Sequence, residues 1–537
     1  MRAGEPVHHD PEGIYQVLSA LESPCYVLRQ NNRTGVTQGC PAPGEGTLLA
    51  AAGALPPGRL GAAAFLRRHG LRLPYMAGAM AGGIAGTRLV TALSRAGCLA
   101  AFGAAGLPAE RIDAALGRLR HELGEAPFAC NLIHTPMAPR LERACVDLCL
   151  RHGVRWVEAS AFVQLTPELV RYRLTGLRPD PVTGVRAEHR VIAKVSREET
   201  AHLFLRPAPE PLVAELLAQG RITAEQAALA ASVPMADALT AEADSGGHTD
   251  RRPLAVLVPA LVRLRDLARR DQRGGTELHV GAAGGIGSPQ AVAAAFALGA
   301  DYVVTGSVNQ AAVEADTSPA VKRLLARSGI ADCVMAPAAD MFEQGVQVQV
   351  LGRGSMFPAH AARLYRLYRE YDSLDALPAA DRRTLEERVL RRPLAEVWQE
   401  TAAYLRDHHP GQLARAEREP RHRMALVFRW YLAMTSRWAI AGEPARAADW
   451  QIWCGPAMGA FNLWTAGTAL AAPEHRPAGE IAGRLLRGAA YRIRLGQLRA
   501  AGVRIPAACA EYRLPPADGS TDRGAQPGSA PTVSRIS

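Results

Sequence analysis

Glu242-Ala-Asp-Ser-Gly-Gly-His248, then Leu278-His-Val-Gly281 with the run Ala282-Ala-Gly-Gly-Ile-Gly287, then Asp301-Tyr-Val-Val-Thr305 with Gly306-Ser307, decide how this chain folds. The last two are apolar strands that run into a glycine turn opening a helix. Such a turn offers free backbone N–H groups, and glycine lets the backbone approach a phosphate closely. Two of them at consecutive strand ends, preceded by a histidine on another strand-end loop, match the phosphate end of a (β/α)8 barrel, whose catalytic groups come from several other strand ends. The reading is an α/β TIM-barrel enzyme with a phosphorylated cofactor.

Working outward, eight strands are expected at 73–76, 98–103, 127–133, 154–158, 190–195, 238–243, 278–281 and 301–305. Helical spacing recurs between them, and each connection is long enough for a parallel crossover. The barrel is therefore assigned to 71–335. Residues 1–70 read as a poorly periodic leader ending in a Gly/Pro/Ala-rich stretch. From about 336 helical segments rich in Arg, Glu, Leu and Tyr take over, so 336–515 reads as a helical lid or docking domain. The Gly/Pro/Ser/Thr-rich stretch 516–537 is expected to be disordered.

At 537 residues a barrel plus an appended domain is the natural division. Hydrophobic residues make up 48% of the chain, but no charge-free run of about 18 apolar residues occurs, which argues against a membrane span. The polar N-terminus, Met1 to Asp10, lacks the apolar core of a signal peptide, and a cytoplasmic location is expected. Nine cysteines include no Cys-x-x-Cys pair; they read as reduced thiols, with Cys145 and Cys149 four apart in a helical stretch, and no metal is expected. The formal charge of +11 is carried almost wholly by arginine, with lysine only at 194 and 322. Those arginines are spread among acids rather than blocked with aromatics, which disfavours nucleic acid and leaves an acidic partner welcome.

Longer strings carry a resemblance: Pro74-Tyr-Met-Ala-Gly-Ala-Met80, Asn131-Leu-Ile-His-Thr-Pro136, Val157-Glu-Ala-Ser160, Val191-Ile-Ala-Lys-Val-Ser196, Val304-Thr-Gly-Ser-Val-Asn-Gln310, Met335-Ala-Pro-Ala-Ala-Asp-Met341 and Ile452-Trp-Cys-Gly-Pro-Ala-Met-Gly-Ala-Phe-Asn462. With the glycine loops they resemble the PfaD family, trans-acting flavin-dependent enoyl reductases of polyunsaturated fatty acid and polyketide synthases. That family sits among the nitronate monooxygenase-like and FabK-like flavin barrels. The glycine strings fit the whole set; the Met335 and Ile452 strings point to the PfaD branch. Two departures stand out: Gly352 where lysine is expected, and Gly82-Gly83 in place of a more polar loop.

The resemblance implies FMN and NADPH, and it gives the residues roles. Gly284, Gly285, Gly306 and Ser307 would hold the FMN phosphate; the alternative is that these glycines only make tight turns. Ala77, Gly78 and Met80 would lie along the flavin ring. Asn131 and Lys194, at strand ends, would stabilise charge at its pyrimidine edge. Lysine inside an apolar strand is notable in a chain that otherwise uses arginine, although its stem could lie along the sheet with the amine at the rim; Asn131 could serve a turn. Gly246 and Gly247 precede His248, the expected catalytic residue, whose imidazole can donate a proton near neutrality. Glu242 and Asp244 could orient it or bind a cation, with a structural role equally open. Glu158 could instead cap a helix, and His134 reads first as a lining or core residue.

The expected substrate is a 2-enoyl thioester delivered by an acidic acyl carrier protein, with arginines near the barrel mouth aiding docking. Dimerisation stays open, and no Rossmann fingerprint marks the NADPH site. Rival readings are a nitronate monooxygenase-like FMN oxidase, a non-catalytic flavin-binding docking protein of a synthase, and an aldolase-like barrel using Lys194 as a Schiff base.

Overall fold

The computed structural model describes residues 5–517 except 137, 183 and 272–276, so nearly all of the expected disordered tail lies outside the described residues. Eight parallel strands, Tyr75–Ala77, Leu99–Phe102, Ala129–Ile133, Trp156–Ser160, Arg190–Val195, Ala238–Glu242, His279–Ala283 and Tyr302–Thr305, pair in chain order and close on themselves. The closure joins the eighth strand to the first, with Val303 opposite Tyr75 and Thr305 opposite Ala77. All eight expected strands are present, with ends shifted by up to two residues.

Side chains alternate in and out along each strand. Met76, Leu99, Ala101, Ala129, Trp156, Ile192, Ala238, Tyr302 and Val304 fill the barrel interior. The intervening residues, such as Tyr75, Ala77, Cys130 and Val157, pack against the surrounding helices. Gly281 belongs to the inner set, because a Cβ there would lie 2.3 Å from the ring of Tyr302. The N-terminal end is closed by the helix Ala63–His69: Phe65 stacks on Tyr302 at 4.2 Å, and Trp156 donates its indole N–H to His69 Nδ1 at 2.7 Å.

The leader is more ordered than its composition suggests. It contains the helix Pro11–Ser19, started by an Asp10 cap and a proline in its first turn. Three antiparallel strands follow, Cys25–Gln30, Arg33–Thr37 and Thr47–Ala52, the last running into the Gly/Pro/Ala-rich stretch that ends the leader. The first two are joined by Asn31-Asn32, both at positive φ, the conformation a tight two-residue hairpin requires.

The region after the barrel is mainly helical, with one departure that matters for the site. Its first elements are the antiparallel strands Cys333–Pro337 and Gln347–Leu351. Helices Phe357–Glu370, Leu394–His408 and Pro420–Ala441 then build a second core around Phe342, Phe428, Tyr431 and Leu432. This core makes up the cap. Beyond about residue 452 the chain does not stay in the cap, contrary to a lid running to 515. Met458, Phe461, Ile481 and Leu485 return to the barrel's own core. Helix Ala478–Ala500 lies against helix Pro289–Ala297 so closely that a Cβ at Gly488 would sit 2.5 Å from Pro289.

That returning helix also fastens the leader. Arg494, fully buried, donates to the carbonyls of Leu18, Ala20, Leu21, Ser23 and Gly53 at 2.7–3.4 Å. No described helix is long and apolar enough to cross a membrane. All nine cysteines are free thiols, seven of them buried. Cys130, on a strand, meets Cys145 and Cys149, one helical turn apart, with the three sulfurs within 4.8 Å of one another. The sequence reading paired the last two and had no signal for the first.

Candidate active site

The C-terminal strand ends form the barrel mouth, and the inward positions there carry charge instead of hydrocarbon. Register places Asn131 opposite Glu158, and Lys194 opposite Thr240 on the strand that ends in Glu242. Lys194 Nζ lies 2.6 Å from Glu242 Oε1, both side chains less than a fifth exposed. Burial works against the ammonium, but the Glu242 and Glu158 carboxylates outweigh it and hold its pKa above the usual lysine range. Burial pushes the Glu158 carboxyl up, opposed by the charge of Lys194 and the N–H of Ala79, which donates to Oε2 at 2.9 Å. Its other oxygen, Oε1, is buried without a partner among the described residues. Asn131 donates to the Glu158 carbonyl at 3.1 Å and to Ser160 Oγ at 3.0 Å, so it braces the strand end carrying Glu158.

Gly78 faces this group. A Cβ there would stand 3.1 Å from Val304 and 3.4 Å from Glu158 Oε1. Ala77 points the other way, into the packing between strand and helices, so only its backbone can reach the mouth. Met80 is half-buried on the loop beyond, where Gly82 and Gly83 both adopt positive φ; that backbone explains the glycine pair.

The two glycine turns sit at neighbouring strand ends. Gly284 and Gly285 have φ of +87° and +70°. A Cβ on Gly284 would come within 2.6 Å of the Ala243 backbone, whereas Gly285 and Gly306 face open space with nothing within 4 Å. Ser307 opens the short helix Ser307–Gln310, and its hydroxyl accepts the Gly455 N–H at 3.0 Å.

His248 is held by the cap. Gly247–His248 forms a short strand that adds to the cap sheet, pairing Gly247 with Gln349 and His248 with Val348. His248 Nε2 lies 3.1 Å from Asp340 Oδ1, and Nδ1 makes no hydrogen bond within the described residues. Burial opposes the imidazolium, but the hydrogen bond and charge of Asp340 outweigh it and raise the pKa above the ordinary imidazole value. The carboxylates expected beside His248 have other duties: Glu242 pairs with Lys194, and Asp244 accepts from Gln349 Nε2 at 2.9 Å. Asp340, the partner that sequence reasoning missed, stands 92 residues from His248. Only its place in the Met335–Met341 string drew attention to it. His134 is not part of the group; it stacks on Phe162 and faces Glu142.

Gly246 lets the chain returning from the cap seat here. A Cβ on it would fall within 2.9 Å of the Cys454 backbone, so the Ile452-Trp-Cys-Gly string presses directly on the histidine loop. Beside Asp340 a cap cavity of about 320 Å³ is lined by Glu343, Tyr368, Arg415, Arg421 and Arg429. A larger cavity, about 680 Å³, opens at the opposite end of the barrel and shares none of these residues.

The mouth thus joins a fixed cation, a buried carboxylate, an open glycine cradle and a cap-braced histidine. The nitronate monooxygenase family profile matches residues 69–370, and the profile of the N-terminal domain of fatty acid synthase subunit PfaD matches residues 3–54. The crystal structure of the enoyl reductase domain of MlnA, from the macrolactin cluster of Bacillus amyloliquefaciens, aligns with a TM-score of 0.79 at 35% identity, covering 83% of this chain and 100% of that one. The chain belongs to the PfaD-like enoyl reductase family.

With membership comes the reaction class, an oxidoreductase. Relatives of this PfaD-like chain include a component of the polyunsaturated fatty acid synthase of Thraustochytrium sp., 45% identical over 449 residues. Another is the polyketide biosynthesis protein PksE of Bacillus subtilis, 43% identical over 429 residues. The alignments cover 82% and 80% of this chain but only 30% and 55% of those proteins. Residues 371–450, within the cap, match the inserted helical domain of [acyl-carrier-protein] S-malonyltransferase.

Proposed function

We propose that this protein reduces 2-enoyl thioesters presented by an acyl carrier protein, using FMN and NADPH, in polyketide or polyunsaturated fatty acid synthesis. The observation that carries the reading is the union of Lys194, Glu158 and the open Gly285 and Gly306 turns with a histidine braced from the cap.

The residues present fit FMN. Gly284, Gly285, Gly306 and Ser307 would hold its phosphate, with open space beside Gly285 and Gly306. Gly78, Met80 and the backbone of Ala77 would face the ring, with Asn131, Lys194 and the unpartnered Oε1 of Glu158 at its polar edge. When bound, FMN supplies the hydride chemistry between nicotinamide and the alkene. Lys194 supplies a cation that stays charged at all working pH values, fixed where negative charge grows. His248, whose protonated form Asp340 favours, would donate a hydrogen bond from Nδ1 to the thioester oxygen as the β carbon gains hydride, and the resulting enolate would take its α-carbon proton from water or an acid.

The cap supports the carrier-protein part of the proposal. The family of its helical insert is named for a carrier-protein substrate. The test is anaerobic spectroscopy of the purified protein, adding NADPH and then a crotonyl-type thioester. Bleaching of a bound flavin, with recovery on adding thioester, is the expected result. A yellow protein that NADPH does not bleach would move the reading to the monooxygenase. His248→Ala should keep the flavin and lose most turnover; full activity would remove His248 from the mechanism.

A further inference from the structure

A cavity of about 680 Å³ lies at the wrong end of the barrel for this chemistry. It sits among the residues that precede or begin the strands: Arg72 before the first, Trp156 at the start of the fourth, Arg190 at the start of the fifth. Six arginines line it, Arg67, Arg68, Arg72, Arg95, Arg155 and Arg190, against one lining carboxylate, Glu125.

Ion pairing accounts for part of this charge. Arg68 binds the buried Asp237 at 2.6 Å, and Arg155 binds Glu125 at 2.7 Å. Arg72 donates to the Arg95 carbonyl, which satisfies N–H groups without cancelling charge. Arg67, Arg95 and Arg190 have no ion pair among the described residues, and Arg190 lies over the Trp156 ring at 5.1 Å.

Unsatisfied donors point the same way. Three buried N–H groups without acceptors belong to lining residues: Arg68 Nε, Arg190 Nε and His69 Nε2. The histidine is informative because its tautomer is fixed. Trp156 donates to Nδ1, so the ring proton must sit on Nε2, a donor 1% exposed with nothing to receive it. Burial keeps that ring neutral, with a pKa of about 3, so it offers one N–H at every working pH. Buried donors left unpaired are costly, and native proteins almost always satisfy them.

We propose that this cavity is a binding site for a small polyphosphorylated anion, separate from the reductase mouth. Phosphate oxygens accept several hydrogen bonds at once and suit the guanidinium fork. A volume of about 680 Å³ is ample for a small polyphosphate. A ligand here touches the starts of strands whose other ends carry Glu158 and Lys194, so its occupancy is placed to modulate the mouth without competing for it.

The test is calorimetric titration of full-length, flavin-saturated protein with inorganic pyrophosphate and with ATP. Saturable binding is expected, weakened about tenfold or more by the double substitution Arg67→Glu with Arg95→Glu. Both residues are exposed, so the variant should fold, keep its flavin spectrum and keep its ligand-free turnover. ATP binding far tighter than pyrophosphate would identify a nucleotide; equal affinity would identify polyphosphate itself. Absence of saturable binding to the wild type, or equal binding by the reversed variant, would overturn the proposal. So would a variant that instead loses acyl carrier protein, which would make the arginines a protein-docking surface. Because the reductase assay reads the other end of the barrel, failure of this site and failure of the enzymatic reading are distinguishable.

Discussion

Replacing Asp340 by asparagine keeps a hydrogen-bond acceptor beside His248 and removes the charge. Unit charges 3.1 Å apart interact by about 1.3 kcal/mol at the dielectric of water and about 5 kcal/mol at an effective dielectric of 20. The His248 and Asp340 side chains are 38% and 52% exposed, so the water-like figure applies. It corresponds to a fall of about one unit in the His248 pKa. The sign follows from the raised native value: protonated His248 is present below its pKa and lost above it. In Asp340→Asn the alkaline limb of kcat/KM should move down by about one unit, with about tenfold lower rate beyond the limb and little change on its acid side. Stability obeys the same linkage. The contribution of the pair is full below the unfolded imidazole pKa and disappears as pH rises through the native one, so the stability gap between wild type and variant should close in that direction. Ring-carbon NMR of His248 reads the titration directly, whatever reaction is catalysed. An unchanged or raised His248 pKa in the variant would refute the reasoning.

Three further outcomes follow from the same geometry. Lys194→Met leaves Glu242 and Glu158 without their cation and should cost about 3 kcal/mol in denaturant unfolding at pH 8, less at pH 5 as the carboxylates protonate; equal losses would count against the pairing. Arg494→Met strips donors from five leader carbonyls and should cost about 3–5 kcal/mol, with early proteolysis within residues 5–54 as the signature. Gly306→Ala should leave thermal stability unchanged, since φ is negative and the space beside Cα is empty, yet weaken flavin binding; unchanged flavin affinity would move the phosphate elsewhere.

The barrel was legible because its evidence is local. A strand and the helix that follows it occupy neighbouring residues, two of these units carry a glycine turn, and eight in succession leave little choice of topology. Lys194 was legible for a chemical reason, as a lysine inside an apolar strand of an arginine-rich chain, and it lies at the mouth in a charge pair. The partner of His248 was not, because Asp340 arrives from the cap through a sheet formed between distant segments, and no spacing rule reports tertiary pairing. The leader was misread for a different reason. Its strands are short and irregular, and the turn that organises them uses Asn31-Asn32 instead of the Asn-Gly that marks such hairpins most clearly. The basic cavity was invisible because its arginines are scattered along the chain from Arg67 to Arg190, and only the barrel gathers them into one ring.

Arg494 also sets the order in which this molecule can be finished. The carbonyl groups it gathers emerge early in synthesis, and their donor follows 476 residues after Leu18. Closing a loop of that length is entropically slow, and no local rearrangement substitutes for it. The first helix and hairpin are therefore expected to complete their hydrogen bonding only when the helix that seals the barrel wall docks. Any rate-limiting step in refolding should show this docking as its final phase, with recovery of the leader's protection against hydrogen exchange lagging behind that of the barrel strands.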